Sequence, residues 1–273
     1  MDKLAVSNIA WTGNNERFFE LLASNGVSGV EVAPGKVVGG WDDLNMKTMA
    51  AYRKQCQSFG LQIPSFQAFL FGKPELQLLS SDLQFKKFIE HMKFIAELAK
   101  TAGATVLVYG APKSRLLLDY NAKDGFLLAK ERLAILAETC WGYEVSIGLE
   151  AVPEIYGGEI IQSYKDSLQI VKNIDHPGLV FHLDTGCTFL NDESIGKAID
   201  EVVENIAHFH ISQPQLSDFS KPAEYHLEAS ESLNKYTYKG WKCIEMLETD
   251  NSLYSIKNAI EYIKYEYGTT DYL

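Results

Sequence analysis

Residues that could do chemistry stand near the ends of four short apolar segments in the second half of the sequence. They are Glu150 in VSIGLE, Asp184 in GLVFHLD, His210 in IAHFHIS and Glu245 in WKCIEM. Burying three carboxylates side by side is very unfavourable unless a positive charge lies between them. A divalent cation supplies that charge, so we predict that these four side chains bind one metal ion.

The donor set also indicates the kind of metal. Three carboxylates and one imidazole favour Mn²⁺ or Mg²⁺, with Co²⁺ or Zn²⁺ possible. A single carboxylate at a strand end is more often a helix cap or an ion-pair member, so the prediction depends on all four residues lying at one level. His182 and His208 lie two residues before Asp184 and His210 and point the same way. We expect them one layer deeper, as core or supporting histidines.

The rest of the chain alternates β-type segments with longer helical ones. The clearest helix is predicted over 81–103, from Ser81-Asp82 to a glycine at 103. Eight strand–helix units predict an α/β fold, a parallel sheet closed into a (β/α)8 TIM barrel. An open doubly wound sheet is the alternative, but no GxGxxG follows the first strand. Candidate strands are 4–9, 29–33, 61–66, 105–110, 145–150, 178–184, 206–212 and 241–246.

In such a barrel the chemistry lies at the carboxyl ends of the strands, which would bring the four candidate ligands together. The longest irregular stretch is predicted over 213–230, after the seventh strand, and a loop of that length is often functional. No linker or composition shift interrupts the sequence, so we expect a single domain over residues 1–273.

Composition excludes several classes of partner. The net charge is -11, with 36 acidic and 25 basic residues, which disfavours nucleic acid. No apolar run approaches the ~20 residues that span a membrane. Four separated cysteines without a CxxC pair, and an amino terminus without a signal-peptide pattern, predict a cytoplasmic protein without disulfides. The outer helices could support a homo-oligomer, although no interface is indicated.

Together with these residues, several motifs resemble the sugar phosphate isomerase/epimerase superfamily, the xylose-isomerase-like TIM barrels. The motifs are SNIAW, GVEVAP, SFQAFLFG, VYGAPKSR and YKGWKCIEM. The superfamily includes ketose 3-epimerases, hydroxypyruvate isomerase, inosose dehydratase and endonuclease IV. The resemblance implies four metal ligands, which match Glu150, Asp184, His210 and Glu245. For the ketose 3-epimerases it also implies that the two glutamates, Glu150 and Glu245, are catalytic.

The predicted function is therefore a divalent-metal-dependent isomerase or epimerase of a sugar or small polyol carbonyl substrate. One carboxylate would remove a proton beside the carbonyl and the other would return it, through a metal-stabilised enediolate. Two alternatives stay open: a dehydratase that uses the same site, and a non-catalytic sugar-binding barrel. Endonuclease activity is disfavoured by the charge and by a total of six histidines, too few for about three metal ions.

Three positions depart from the ketose 3-epimerase pattern. Cys187, Leu216 and Tyr156 stand where those enzymes usually carry a histidine, an arginine and a glutamate that contact substrate. The resemblance therefore does not imply a specific ketose. We interpret Cys187 as a small apolar filler, because no base that could activate it is evident.

Other residues are candidates for substrate binding. Lys113 and Arg115 could bind a phosphate or carboxylate, or could pair with nearby acids. His226 lies where relatives often have histidine and could reach the site. Aromatic and amide side chains could form one wall for a sugar, with core packing as the alternative; they are Trp11, Phe66, Gln67, Phe69 and Phe71, with Glu31 and Lys36 as weaker candidates.

Overall fold

The strands of the computed structural model, which describes residues 3–268, form one parallel sheet. The sheet order is β2-β1-β8-β7-β6-β5-β4-β3. Backbone hydrogen bonds from Val30 to Gln62 (2.8 Å) and from Val32 to Ser65 (3.0 Å) join its two ends. The predicted (β/α)8 barrel is thereby confirmed. The strands are β1 Leu4–Ser7, β2 Gly29–Glu31, β3 Ser65–Phe66, β4 Val106–Tyr109, β5 Ser146–Leu149, β6 Leu179–Asp184, β7 Ile206–Ser212 and β8 Trp241–Glu245.

Helices follow the strands and cover the outside of the ring. The predicted helix at 81–103 is observed over Asp82–Ala102, and it ends at Gly103, whose φ of 84° suits glycine. The helices are α1 Asn15–Ser24, α2 Met46–Ser58, α3 Asp82–Ala102, α4 Ala122–Trp141, α5 Tyr164–Ile174, α6 Thr185–Leu190, α7 Ile195–Val202, α8 Tyr225–Lys235 and α9 Ser252–Glu266. None of those described is both long and apolar enough to cross a membrane.

Two boundary predictions were wrong. The third strand, predicted over 61–66, is only two residues long, because Pro64 has no N–H to donate to a neighbouring strand. The segment 213–230 is not a single irregular loop, since α8 begins at Tyr225. Glu224, the residue before that helix, makes no side-chain capping hydrogen bond, so the usual sequence signal for a helix start is missing.

Strand register sets the level of the polar side chains. Asp184 pairs with His210 across β6 and β7, and Ser212 pairs with Glu245 across β7 and β8. These pairs lie at the carboxyl end of the ring, which is where barrels of this type place their chemistry. The single-domain organisation stays a prediction, and the parts of it at residues 1–2 and 269–273 lie outside the described residues.

Candidate metal centre

Four side chains converge at the carboxyl ends of β5, β6, β7 and β8. Each offers one oxygen or nitrogen atom, and these atoms all lie within 4.8 Å of one another. Every one of the four side chains is buried, with residue exposures of 8% or less. The structure therefore brings together the four residues that were expected to bind a metal, which are Glu150, Asp184, His210 and Glu245.

Asp184 is held by two hydrogen bonds. Its Oδ1 accepts from the Cys187 N–H (2.6 Å), and its Oδ2 accepts from the Ser212 hydroxyl (2.7 Å). The first bond makes Asp184 the N-cap of α6, and the second ties it to the neighbouring strand β7. The carboxylate is thus fixed in position by the backbone turn that follows its strand.

His210 presents a free nitrogen lone pair to the carboxylates. Its Nε2 lies 3.0 and 3.1 Å from the two carboxylate oxygens of Glu31, so this nitrogen is the donor. The buried Nδ1 has no hydrogen-bond partner, yet it lies 3.1 Å from Glu245 Oε2 and 3.8 Å from Asp184 Oδ2. A lone pair facing carboxylate oxygens is repulsive unless a cation lies between them.

The pKa directions show the same excess of negative charge. Burial and the carboxylates of Asp184 and Glu245 raise the pKa of Glu150 well above its usual value. Burial also raises the pKa of Glu245, although His210 opposes the shift. A divalent ion at the point of convergence would remove this repulsion, so the residues fit one such ion.

Glu150 is positioned by β4 and by the segment that follows it. Its N–H donates to the Tyr109 carbonyl (3.3 Å), and its own carbonyl accepts from Arg115 Nη1 (2.9 Å). Gly110 leaves the space that the Glu150 side chain occupies: a Cβ atom at position 110 would overlap Oε2 and lie 2.7 Å from Cδ. Nothing in the amino-acid sequence indicated this role for Gly110.

A chain of buried polar groups lies beneath the four side chains. His182 Nε2 is 3.7 Å from Glu150 Oε1, and His182 Nδ1 is 3.2 Å from His208 Nδ1. His208 Nε2 lies 2.9 Å from the Ser65 hydroxyl, which donates to Glu31 (2.7 Å). The two histidines lie one layer deeper, as expected. Glu31, a weak candidate on sequence grounds, completes the chain beside His210.

A cavity of about 580 Å³ lies above Glu150 and Glu245. Its walls are largely apolar and come from residues 67–74 after β3 and 110–114 after β4. Among the described residues that line it, Glu150 and Glu245 are the only carboxylates. Of the substrate-binding candidates, four line this cavity, namely Gln67, Phe69, Phe71 and Lys113.

Two other candidates lie elsewhere. Arg115 is 1% exposed, its guanidinium lies 5.2 Å from the centre of the Tyr109 ring, and its Nη1 donates to the Glu150 carbonyl; it is not among the residues that line the cavity. Trp11 is 2% exposed, stacks on Phe18 and donates to Asn15, so core packing accounts for it. Both side chains were expected at the substrate site but are buried against nearby residues, and the sequence does not reveal these contacts.

His226 is also directed away from the cavity. It lies on α8, is fully buried, and its Nδ1 is 2.7 Å from the Tyr267 hydroxyl. Its ring packs against four aromatic side chains, those of Phe219, Tyr225, Tyr262 and Tyr267. The contacts found for His226 in the described part of the chain are with these aromatic residues and not with the four converging side chains.

His226 gives a prediction about acid stability. Burial lowers its pKa to about 3, so the unfolded chain binds this proton more readily than the folded one between pH 6.5 and 3. The free energy of unfolding should therefore fall with decreasing pH in that range, by roughly 1.4 kcal/mol per pH unit from this residue. The free energy of unfolding, measured by urea denaturation at several pH values, should fall less steeply with decreasing pH for His226→Gln than for the wild type. The same pH dependence in both proteins would contradict the lowered pKa of His226.

Of the three residues that depart from the epimerase pattern, Cys187 and Tyr156 lie near the same cluster. The Cys187 thiol is partly buried, and burial with the Asp184 carboxylate raises its pKa well above the usual value, so it stays a neutral thiol. The Tyr156 hydroxyl accepts from the Gln215 N–H (2.5 Å), and Leu216 accepts a backbone bond from Leu247.

Comparisons with known proteins agree with the fold. A search of curated protein sequences found no match. A D-psicose 3-epimerase structure determined with D-fructose has a TM-score of 0.81 at 13% identity, over 97% of this chain and 99% of that one. The 3-keto-D-glucoside 4-epimerase of E. coli has a TM-score of 0.79 at 12% identity, over 97% and 100%.

A third similar structure carries a different kind of name. The family 2 AP endonuclease of Brucella melitensis has a TM-score of 0.74 at 15% identity, over 94% of this chain and 97% of that one. At such identities the structures show a shared fold and not a shared activity. Residues 19–266 match the sequence family of xylose isomerase-like TIM barrels, and the chain belongs to that family.

Proposed function

We propose that this protein is a divalent-metal-dependent isomerase or epimerase of a sugar or small polyol carbonyl compound. The observation that carries the proposal is that Glu150 and Glu245 belong to the four-residue cluster and also line the cavity. Asp184 and His210 complete the cluster. Two carboxylates can therefore reach a bound substrate from the position where the metal would be held.

The residues of the cluster have two roles, metal binding and proton transfer. Glu150, Asp184, His210 and Glu245 would hold the ion, which supplies the positive charge that makes a proton beside a carbonyl group acidic. One of the two glutamates accepts that proton from carbon, and the other delivers a proton. Delivery to the opposite face of the same carbon gives an epimer. Delivery to the former carbonyl carbon gives an isomer, provided that the hydrogen of the adjacent hydroxyl group moves to the former carbonyl oxygen.

The cavity supports a small polar substrate. Gln67 is anchored by a hydrogen bond from its Nε2 to the Ser7 hydroxyl (2.5 Å), which leaves its carbonyl oxygen to accept from a substrate hydroxyl. Phe69 provides apolar surface, and Lys113 a positive charge at the wall after β4. The epimerase names of two similar structures support the same reaction type.

Hydrogen exchange tests the reaction type. The metal-loaded protein would be incubated with a panel of ketoses, keto-sugar derivatives and their phosphates in D₂O, and followed by ¹H NMR. We expect one substrate to take up deuterium at the carbon beside its carbonyl, with formation of an epimer or isomer. Loss of water from the product would identify a dehydratase. Bound sugar without any exchange would favour the sugar-binding barrel.

Metal binding gives a separate prediction. The protein purified from Mn²⁺-supplemented medium should contain about one divalent ion per chain by mass spectrometry of metals. Adding Mn²⁺ at 100 times its Kd to the metal-free protein should raise the free energy of unfolding by about 2.7 kcal/mol. The same addition to Asp184→Asn should give a much smaller increase. A wild type that gains no stability from any divalent ion would contradict the metal centre.

A further inference from the structure

We propose that Glu31 positions His210 by fixing which of its ring nitrogens faces the metal centre. Glu31 ends β2, across the barrel from β7, and it is completely buried. This proposal rests on the proposed metal-dependent function. It assigns Glu31 a role distinct from that of the four ligands, because Glu31 acts through His210 and does not face the cavity.

The geometry determines the tautomer. Both oxygens of Glu31 are close to the same ring atom, with Oε1 3.0 Å and Oε2 3.1 Å from His210 Nε2. A carboxylate accepts hydrogen bonds and does not donate them, so Nε2 carries the proton. In neutral imidazole the other nitrogen, Nδ1, then has a free lone pair. That atom is the unpartnered one directed at Glu245 and Asp184.

Glu31 is itself fixed from three other strands. The Ser65 hydroxyl on β3 donates to Oε2 (2.7 Å), His208 Nε2 on β7 lies 3.5 Å from Oε2, and the Cys243 thiol on β8 lies 3.5 Å from Oε1. These three residues are at most 1% exposed. Glu31 therefore cannot turn away from His210 without displacing the barrel interior, which is the rigidity that a metal-ligating histidine requires.

The alternative is that Glu31 is only a buried structural ion-pair partner of His210. In that case its removal would lower stability but leave the metal affinity of the folded protein nearly unchanged. Loss of the residue that orients a ligating histidine instead lowers metal affinity by about 10- to 100-fold. The two roles can therefore be separated by measuring Mn²⁺ binding to folded protein.

Calorimetric titration of Mn²⁺ into metal-free wild type, Glu31→Gln and Cys140→Ala tests the proposal. The glutamine amide has the same shape and can donate to Nε2, which favours the reverse tautomer. We expect a Kd about 10- to 100-fold weaker for Glu31→Gln. Cys140→Ala, which removes a buried thiol on α4 that belongs to neither the four-residue cluster nor the contacts of Glu31, should stay near the wild-type value. An equal Kd for Glu31→Gln would overturn this proposal alone, whereas a wild type that binds no Mn²⁺ would overturn the proposed function as well.

A second measurement does not depend on whether the variant folds. In wild type with ¹⁵N-labelled histidine and bound Zn²⁺, a diamagnetic ion, two-dimensional NMR reports which ring nitrogen of His210 carries hydrogen. We expect a protonated Nε2 and a proton-free Nδ1. A proton on Nδ1 would overturn the proposal whatever the calorimetry gives.

Discussion

Replacing Glu245 by glutamine is expected to lower kcat by about 10² to 10⁴, the usual contribution of a positioned acid or base. Glutamine keeps the size of the side chain and one oxygen atom, but it cannot take or give a proton at carbon. The same replacement at Glu150 should have an effect of the same order, because both residues line the cavity. Turnover of the substrate found by hydrogen exchange, measured at saturating Mn²⁺, checks this.

The two variants should differ in the epimer into which they still exchange hydrogen. If each glutamate serves one face of the substrate carbon, the variant that lacks one of them can still exchange the proton on the other face. Glu245→Gln and Glu150→Gln should therefore each catalyse deuterium uptake into only one of the two epimers, without interconverting them. Exchange into both epimers by either variant would contradict the division of labour between the two carboxylates.

Two controls separate this effect from loss of the ion. Metal content is measured on the same samples, so that a low kcat with a full complement of metal reports on proton transfer. Glu154→Gln removes an exposed glutamate from the loop after β5 and should leave kcat unchanged. Wild-type turnover in metal-loaded Glu245→Gln would exclude Glu245 as a proton-transferring group.

The barrel could be predicted from sequence because its determinants are local. Alternating strand and helix segments recur along the chain, and an ionisable residue at the end of a buried strand is conspicuous against apolar neighbours. Once a parallel barrel is assumed, the carboxyl ends of neighbouring strands must lie at one level, so Asp184 and Glu245 have to approach each other. The structure places both in one cluster.

The surroundings of the cluster could not be predicted, because they depend on distant contacts. Glu31 and His210 are 179 residues apart in sequence, and only the closed ring brings them together. Arg115 and His226 have the residue types of a binding site, yet both are buried. Their partners are a backbone carbonyl in one case and a tyrosine hydroxyl in the other, and neither leaves a pattern in the sequence.

Gly110→Ala is expected to reduce activity by roughly 10²-fold, the typical effect of displacing a catalytic group by about 1 Å. The added Cβ would overlap the Oε2 atom of Glu150 and lie 2.7 Å from its Cδ, so the side chain must leave its present position. Because the end of a side chain can move more easily than backbone, the fold should persist while the carboxylate is misplaced. Circular dichroism, metal content and kcat on one sample would show this combination.

The effect should come from the collision and not from the backbone conformation. Gly110 is not among the glycines with positive φ, so alanine can adopt its φ and ψ angles. Gly40→Ala is a matched control, since Gly40 also lacks a positive φ and an added Cβ there meets no atom within 4 Å. If both variants kept full activity, Glu150 would tolerate displacement, and a carboxylate that tolerates displacement cannot be the group that transfers the proton. A loss confined to Gly110→Ala would instead tie catalysis to the position of a single carboxylate.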